Sequence, residues 1–421
     1  MAQAPALSGR TAVPQIGLPK VRGRRSAAQS PTTRSYDSAL KVFVIEKEED
    51  LHEHTPAWQD LADHAMESNA FYEPWLLGPA IKTLRQGKSL RFILIYEGTA
   101  ASSGAARLLG FFPVEMLSRF RNLPVRVVRL WKHLHCFLCT PLIRAERARE
   151  TLAALLECAA KDLRADVVDF SFVGGDGPFH HLLIEHADKI RSSSCVTSRF
   201  ARAVWRRGEE LETYLQRTLS GGIRKEYRRQ RKRLAELGRL EFRTVRHLEE
   251  LEDGLDIFLK LEASGWKARQ GTALGMNADQ RNFVREAARN GFTRGQVLLQ
   301  GLFLDDQPLA MLLSFRAGAG NFAFKIAYDE SFAKYSPGVQ MTLDVLEYLH
   351  ADSRLAWIDS CAEPDHPMIN RLLKDKKIVQ TVLFSTRSWT GNLLVSAYPA
   401  GRWLSRLIRG KGEMNSLAGA A

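Results

Sequence analysis

The 421-residue sequence predicts an α/β (α+β) chain of two tandem units of one kind. Each unit reads as a mixed, mostly antiparallel sheet flanked by helices, and a basic helix joins the two. Three observations carry this. Strand-like alternation and helical apolar stripes succeed one another along both halves. The second half holds a three-stranded meander, 296–304, 309–315 and 321–328, with turn residues between the runs. The halves also match at a shift of 189 residues, which places Asp176-Gly-Pro178 on Asp365-His-Pro367, Ser171 on Ser360, and a helix on a helix.

Residues 1–38, rich in Ala, Ser, Pro, Gly and Arg without hydrophobic period, are expected to be disordered. The first unit, 39–207, opens with the alternating strand 40–45. Helices follow at 58–66 and 74–84, strands at 90–97 and 108–114, a helix at 151–163 and a buried strand at 166–172. Residues 208–238 form the long charged helical stretch, which stops at Gly238. The second unit, 239–386, runs through strand 240–245, helices 251–261 and 278–289, the meander, a helix from Ser336 to about 350, strand 355–359, a helix near Pro367 and strand 378–384. The tail 387–421 mixes apolar and basic residues, and Pro399 and Gly401 divide it in two.

The net charge of +13 is concentrated rather than spread. Residues 1–36 carry +6, 220–233 another +6 and 387–421 +4, so the remainder sits near −3. The basic helix therefore reads as a solvated linker, an RNA surface over 224–233, or a contact for anionic lipid or polymer. The tail's second piece, 402–411, suits an anionic membrane surface or a groove on the protein's own body. No apolar run reaches the ~18 residues that span a bilayer, the N-terminus lacks the apolar core of a signal peptide, and five cysteines are odd and sparse. The expectation is a cytoplasmic protein, peripheral at most to the inner face of a membrane. His133, His135, Cys136 and Cys139 have metal-like spacing but no second ligand pair, so the stretch reads as an apolar core strand and no metal is expected.

Chemistry concentrates where Asn321–Tyr328 leads through a loop into the helix at Ser336-Pro337-Gly338-Val339-Gln340. Ser336 fits an N-cap and Pro337 the first helical turn. The amides of Gly338, Val339 and Gln340 would then point outward at the helix's positive end, an arrangement suited to phosphate. Val339, Leu343, Leu346 and Leu349 form the buried stripe.

Meander, strand–loop–helix, strand, helix and last strand together follow the element order of the GNAT acyltransferase superfamily, and Lys334-Tyr-Ser-Pro-Gly338-Val339 resembles its pyrophosphate loop without the second glycine. More closely, the chain resembles tandem FemAB-like proteins of the cellulose-biosynthesis CelD type. That likeness rests on Leu261–Thr272, on Ala327-Tyr328-Asp329-Glu330 with Tyr335–Gly338, and on Asp359–Arg371. The resemblance implies transfer of an acyl group from acetyl-CoA or another acyl-CoA to an amine or hydroxyl of a small-molecule or saccharide acceptor. It places Phe324, Lys325, Ile326 and Ala327 along the pantetheine, Lys334, Ser336, Gly338, Val339 and Gln340 at the phosphates, and Asn370 beside the donor. The superfamily's tyrosine acid is absent, because position 377 is Lys. Candidate bases are Asp359 and Glu262; the structural alternatives are a turn cap for Asp359 and a solvent-facing helix position for Glu262. His366 is a candidate acid or base, or a helix cap. Trp266, Lys267, Tyr328 and Tyr335 are candidate acceptor contacts, or packing and loop anchors. The alternatives are an aminoacyl-tRNA-dependent transferase and a non-catalytic component of a polysaccharide machine.

Overall fold

The computed structural model describes residues 32–37, 39–98, 106–265, 269, 271 and 273–401. Its strands are β1 (Thr32–Asp37), β2 (Leu40–Ile45), β3 (Leu90–Glu97), β4 (Arg107–Leu117), β5 (Val127–Leu130), β6 (Leu142–Ile143) and β7 (Val167–Gly174) in the first half. There follow β8 (Ser194–Arg206), β9 (Leu240–Thr244), β10 (Val297–Leu304), β11 (Gln307–Ala317), β12 (Gly320–Tyr328), β13 (Trp357–Asp359) and β14 (Asp375–Ser385). They form one continuous sheet in the order β1-β2-β3-β4-β5-β7-β14-β8-β13-β12-β11-β10-β9, with β6 paired to β4. Two neighbouring pairs are parallel, β5 with β7 and β12 with β13; the other pairs are antiparallel.

The order shows an exchange. The last described strand, β14, lies against β7 of the first half, while β8 crosses to β13 of the second. The two exchanged strands then pair with each other from Asp375↔Val204 to Phe384↔Ser194. The halves therefore share a sheet and complete one another's edges, which leaves no open edge at the seam.

The duplication is visible in backbone detail. The helices Ala148–Lys161 and Pro337–Ala351 begin 189 residues apart. Phe172 and Cys361, at the same spacing, both hold a left-handed backbone, with φ of 53° and 52°. Two non-glycine residues in that sparsely allowed region at matched positions argue for one inherited strand irregularity.

Several expectations need correction. Thr32–Asp37, expected within the disordered arm, pairs with β2 as strand β1. The segment 137–143, expected as a core strand, runs as loop as far as Pro141, and only Leu142–Ile143 extends as strand. The basic stretch is two helices, Leu211–Thr218 and Gly221–Ala235, and the Ser220 hydroxyl caps the second by accepting from Ile223 N at 3.4 Å. Residues 389–401 are one helix through Pro399. That helix packs on the first half, with Val395 buried among Phe120, Val127, Val167 and Leu383. Residues 402–411, the proposed membrane contact, lie outside the described residues. No helix among the described residues is long and apolar enough to cross a membrane.

The core falls into two main clusters on opposite faces of the second half's sheet. One unites the first half with Leu251, Phe258, Leu261, Phe315, Phe322 and Phe324. The other lies under the helix Pro337–Ala351 and includes Leu312, Val345, Leu346, Leu349 and Ile358. Phe71 and Phe137 of the first half meet Phe322 and Phe324 edge-on at 5.3 and 5.8 Å between centroids. Such pairs add roughly 0.5–1.5 kcal/mol each beyond burial, so the first half braces β12.

Candidate active site

The site begins with a divergence. β12 pairs with β13 only at Gly320↔Trp357, Asn321↔Ile358 and Phe322↔Asp359. Gly320 makes that contact possible, since a Cβ there would stand 2.0 Å from the Trp357 ring. Beyond Phe322 the pairing with β13 ends, and β12 continues to Tyr328 with one edge held by β11. Residues 324–328 of β12 thereby line the space between the two strands.

A bulge sharpens the arrangement. Phe315 pairs with Phe322 and Leu313 with Lys325, so Ala323 and Phe324 stand opposite the single residue Ser314. The extra residue turns Lys325 onto the face that carries the helix Leu248–Ser264. There its ammonium lies 3.4 Å from Glu262 Oε1. Glu262 is only 2% exposed, and its Oε2 also accepts from Leu274 N at 2.9 Å. The solvent-facing alternative for Glu262 is thus replaced by a buried carboxylate paired with a cation.

Into the divergence opens a cleft of about 710 Å³. Of the residues singled out from sequence, Glu262, Phe324, Lys325, Ile326, Ala327, Tyr328, Ser336, Gly338, Val339 and His366 line it. Tyr335 and Lys334 stand apart from the lining: Tyr335 packs on Phe332 and the Leu234–Leu309 cluster, with the Lys334 ammonium 4.9 Å from its ring. Gln340 is buried, and its side-chain amide donates to Tyr227 O at 3.0 Å, tying the basic helix to the site helix. Asn370 braces a loop, donating to Pro364 O at 2.5 Å and accepting from Lys376 at 3.1 Å. Trp266 and Lys267 lie outside the described residues.

Asp359 also stays out of the cleft. It is fully buried, its Oδ1 accepts from Cys361 N at 2.9 Å and Arg202 at 3.4 Å, and Lys377 stands 3.6 Å from Oδ2. A carboxylate held by two cations and a turn amide is a structural pin; the turn-capping alternative describes it. The next residues, Ser360 and Cys361, do line the cleft. Burial, reinforced by Asp359, pushes the Cys361 thiol well above its usual range, which leaves it protonated and a poor nucleophile.

The helix start differs from expectation in two ways. Ser336 is left-handed, with φ of 52°, and makes no side-chain cap; its carbonyl instead accepts from Val339 N at 2.9 Å and Gln340 N at 3.1 Å. Two of the three amides expected to face a phosphate are therefore engaged, and Gly338 is the one that remains at the opening. A Cβ at Gly338 would lie 3.2 Å from Met368 Sδ and 3.6 Å from Tyr328, so glycine keeps the entrance clear.

His366 Nδ1 accepts from Ile369 N at 3.3 Å, so the ring caps the short helix that follows. The helix-cap alternative describes this contact, and the ring also lines the cleft.

Phe137, Ser360 and Met368 line the cleft and were not singled out from sequence. Phe137 sits in the His/Cys-rich stretch, whose apolar character showed burial but not the partner. Cys136 and Cys139 there lie 3.6 Å apart, and among the described residues no group of three or more His, Cys, Asp or Glu is placed to hold a metal.

A second groove of about 440 Å³ continues from the first, sharing Ser336, Val339, Pro367 and Met368, with Ile223, Tyr227 and Arg371 on its far walls. The exposed side of the basic helix carries Lys225, Arg228, Arg229, Lys232 and Arg233. Arg231 is drawn inward to Asp344 at 3.0 Å.

Comparison with known proteins agrees with this geometry. Residues 221–366 match the family model of the acetyltransferase (GNAT) domain. No curated protein matches the chain. Among solved structures, FemX aligns with a TM-score of 0.50 at 11% identity, over 78% of this chain and 95% of FemX, which shows a shared fold. The C-terminal domain of a putative lysylphosphatidylglycerol synthetase from Agrobacterium fabrum aligns at a TM-score of 0.46, with 13% identity, over 82% of this chain and 95% of that domain. A tandem GNAT protein from the clavulanic acid pathway aligns at a TM-score of 0.38, with 12% identity, over 82% of this chain and 99% of that protein. The match places a GNAT-type acetyltransferase domain in the second half of the chain, over residues 221–366.

Proposed function

We propose that the protein moves an acyl group from a coenzyme A thioester to an amine or hydroxyl, using the cleft between β12 and β13. The observation that carries this is the parting of those strands after Phe322 and Asp359, which opens a cleft lined by residues 324–328 and by the helix start at Gly338. A pantetheine arm has two amides and needs such an edge. A pyrophosphate needs a helix start that a backbone amide can reach. The acceptor class, an amine or hydroxyl of a sugar or other envelope-related molecule, rests on the resemblance to CelD-type proteins.

In the reaction the acceptor enters from the face of Glu262. The carboxylate takes the proton as the nitrogen or oxygen attacks the thioester carbon, while Lys325 and Leu274 N–H hold it in place. The oxyanion that forms is met by a backbone amide of β12 facing the cleft. The carbon–sulfur bond then breaks, and His366 Nε2–H donates a hydrogen bond toward the departing thiolate. The departing thiolate then takes its proton from water, which accommodates Lys at position 377.

Isothermal titration with acetyl-CoA tests the donor site, and saturating ligand should raise the melting temperature. Glu262→Gln should lower kcat about 10²–10⁴-fold, the scale of a lost general base, with the larger share of the effect in kcat. No binding and no thermal shift with acetyl-CoA or with any longer acyl-CoA would sink the assignment. The FemX-like fold and the exposed basic helix favour one other reading, a charged-tRNA donor. Steeply salt-dependent tRNA binding that is lost in an Arg228→Gln/Lys232→Gln/Arg233→Gln variant would support it instead.

A further inference from the structure

We infer that the acyl group carried by the donor is a hydrocarbon chain longer than acetyl, housed in an apolar branch of the cleft beneath the helix Pro337–Ala351; this rests on the coenzyme A reading above. The cleft opens onto both faces of the sheet, and the two faces differ in chemistry. On the face of Leu248–Ser264 it meets Glu262 and Lys325, a buried carboxylate and its cation. On the other it is walled by Leu312, Ala323, Ile326, Val345, Leu346 and Ile358, all members of the apolar cluster under the site helix or packed against it.

Thr342 lies on this branch too, but its hydroxyl is spent on Gly338 O at 2.7 Å. These six walls thus offer a sugar or an amine no side chain to bond, and Tyr328, on the same face, stands beside Gly338 at the phosphate end. A polar acceptor placed there would lose its water without replacement, at a cost of several-fold to thousands-fold in affinity. The acceptor belongs on the Glu262 side.

Length points the same way. From Gly338, where the phosphates enter, to Leu346 the helix advances eight residues, about 12 Å at 1.5 Å per residue. The branch follows the helix over those two turns. Acetyl has a single methyl to offer it, and a wall of six apolar side chains around empty space forfeits contact that a longer chain restores. Ala323 is the small residue that leaves the floor open, and it lies on the bulge that splits the two faces.

The test is a titration of the full-length protein with CoA, acetyl-CoA, butyryl-CoA, hexanoyl-CoA and octanoyl-CoA. The expected result is a dissociation constant that falls about three- to fourfold per added methylene until the branch is full. Ala323→Phe, or Val345→Phe if the first fails to fold, should flatten that slope. Equal affinity for acetyl-CoA and octanoyl-CoA, or weaker binding of the longer chains, would overturn the inference and leave the coenzyme A reading standing. Failure of every member of the series to bind would overturn both. A slope that survives both substitutions would also overturn the assignment, since the chain would then lie elsewhere.

Discussion

The two halves carry the same strand pair in two conditions. In the second, β12 and β13 part after three pairs and leave a cleft. In the first, β5 and β7 also run parallel for three pairs, from Val127↔Val167 to Arg129↔Asp169, but β5 ends at Leu130 and the chain itself fills the gap. Trp131 N–H donates to Pro113 O at 2.8 Å, Cys139 N–H to Phe172 O at 2.9 Å, and Gly174 N–H to Thr140 Oγ1 at 2.9 Å. Asn69 clamps the plug from below through the carbonyls of Leu138 and Thr140, at 3.0 and 2.8 Å. The helix start is altered as well. Arg149, paired with Glu185 at 2.9 Å, stands 189 residues before Gly338 and puts a long side chain where the second half has none. One plan thus yields a strut or a pocket, depending on whether the crossing chain occupies the split.

Removing the plug's anchor should have the largest effect. Trp131 is fully buried, so Trp131→Ala should cost about 3–5 kcal/mol in chemical denaturation. A loss under about 1 kcal/mol would mean that the plug does not support the first half. The seam between the halves comes next. Burial pushes the Glu73 carboxyl up to about 7, although Trp75 and Gln296 both donate to it, at 2.8 and 2.6 Å. The raised value means the folded carboxyl keeps its proton while the unfolded one ionises. Stability is therefore full below about pH 4.5 and falls, by about 3 kcal/mol, as pH rises to about 7. Glu73→Gln should remove this slope and gain about 1–3 kcal/mol at pH 8 relative to pH 5, read from denaturation midpoints; an unchanged slope would locate the pH dependence elsewhere.

The matched helix starts give the smallest and most specific contrast. Gly338→Val should weaken CoA binding about 10- to 100-fold by crowding Met368 and Tyr328. Arg149→Ala, at the corresponding place in the first half, breaks an exposed ion pair and should cost at most about 1 kcal/mol in stability with CoA affinity unchanged. Equal effects of the two substitutions on CoA affinity would erase the distinction between the halves.

Much of this was legible in the sequence where local chemistry decides. The meander, the Ser-Pro-Gly helix start and the 189-residue repeat follow from period, turn residues and caps, and they place Gly338, Val339 and Phe324–Tyr328 in the cleft. What escaped depends on distant partners. β8 carries Arg199, Arg202 and Arg206, which break an apolar reading, and Arg202 is tolerable at 2% exposure only because Asp359 lies beside it. Asp359 looked catalytic at its strand end for the same reason, since its two cations come from β8 and β14. Phe137 joins the site from the other half, a meeting that no local pattern encodes. Ser336 fits a cap by residue type, yet its backbone turns left-handed and its carbonyl takes over that work.

The strand exchange has a consequence for how the chain is made. β7 of the first half waits for β14, whose last residue is Ser385, and most of the 421-residue chain must leave the ribosome before that edge is covered. Until then a nascent first half presents an unpaired strand to its surroundings, a state prone to pairing with other chains. Residues 375–385 act as a late latch, and a premature stop upstream of them would strand both halves unfinished.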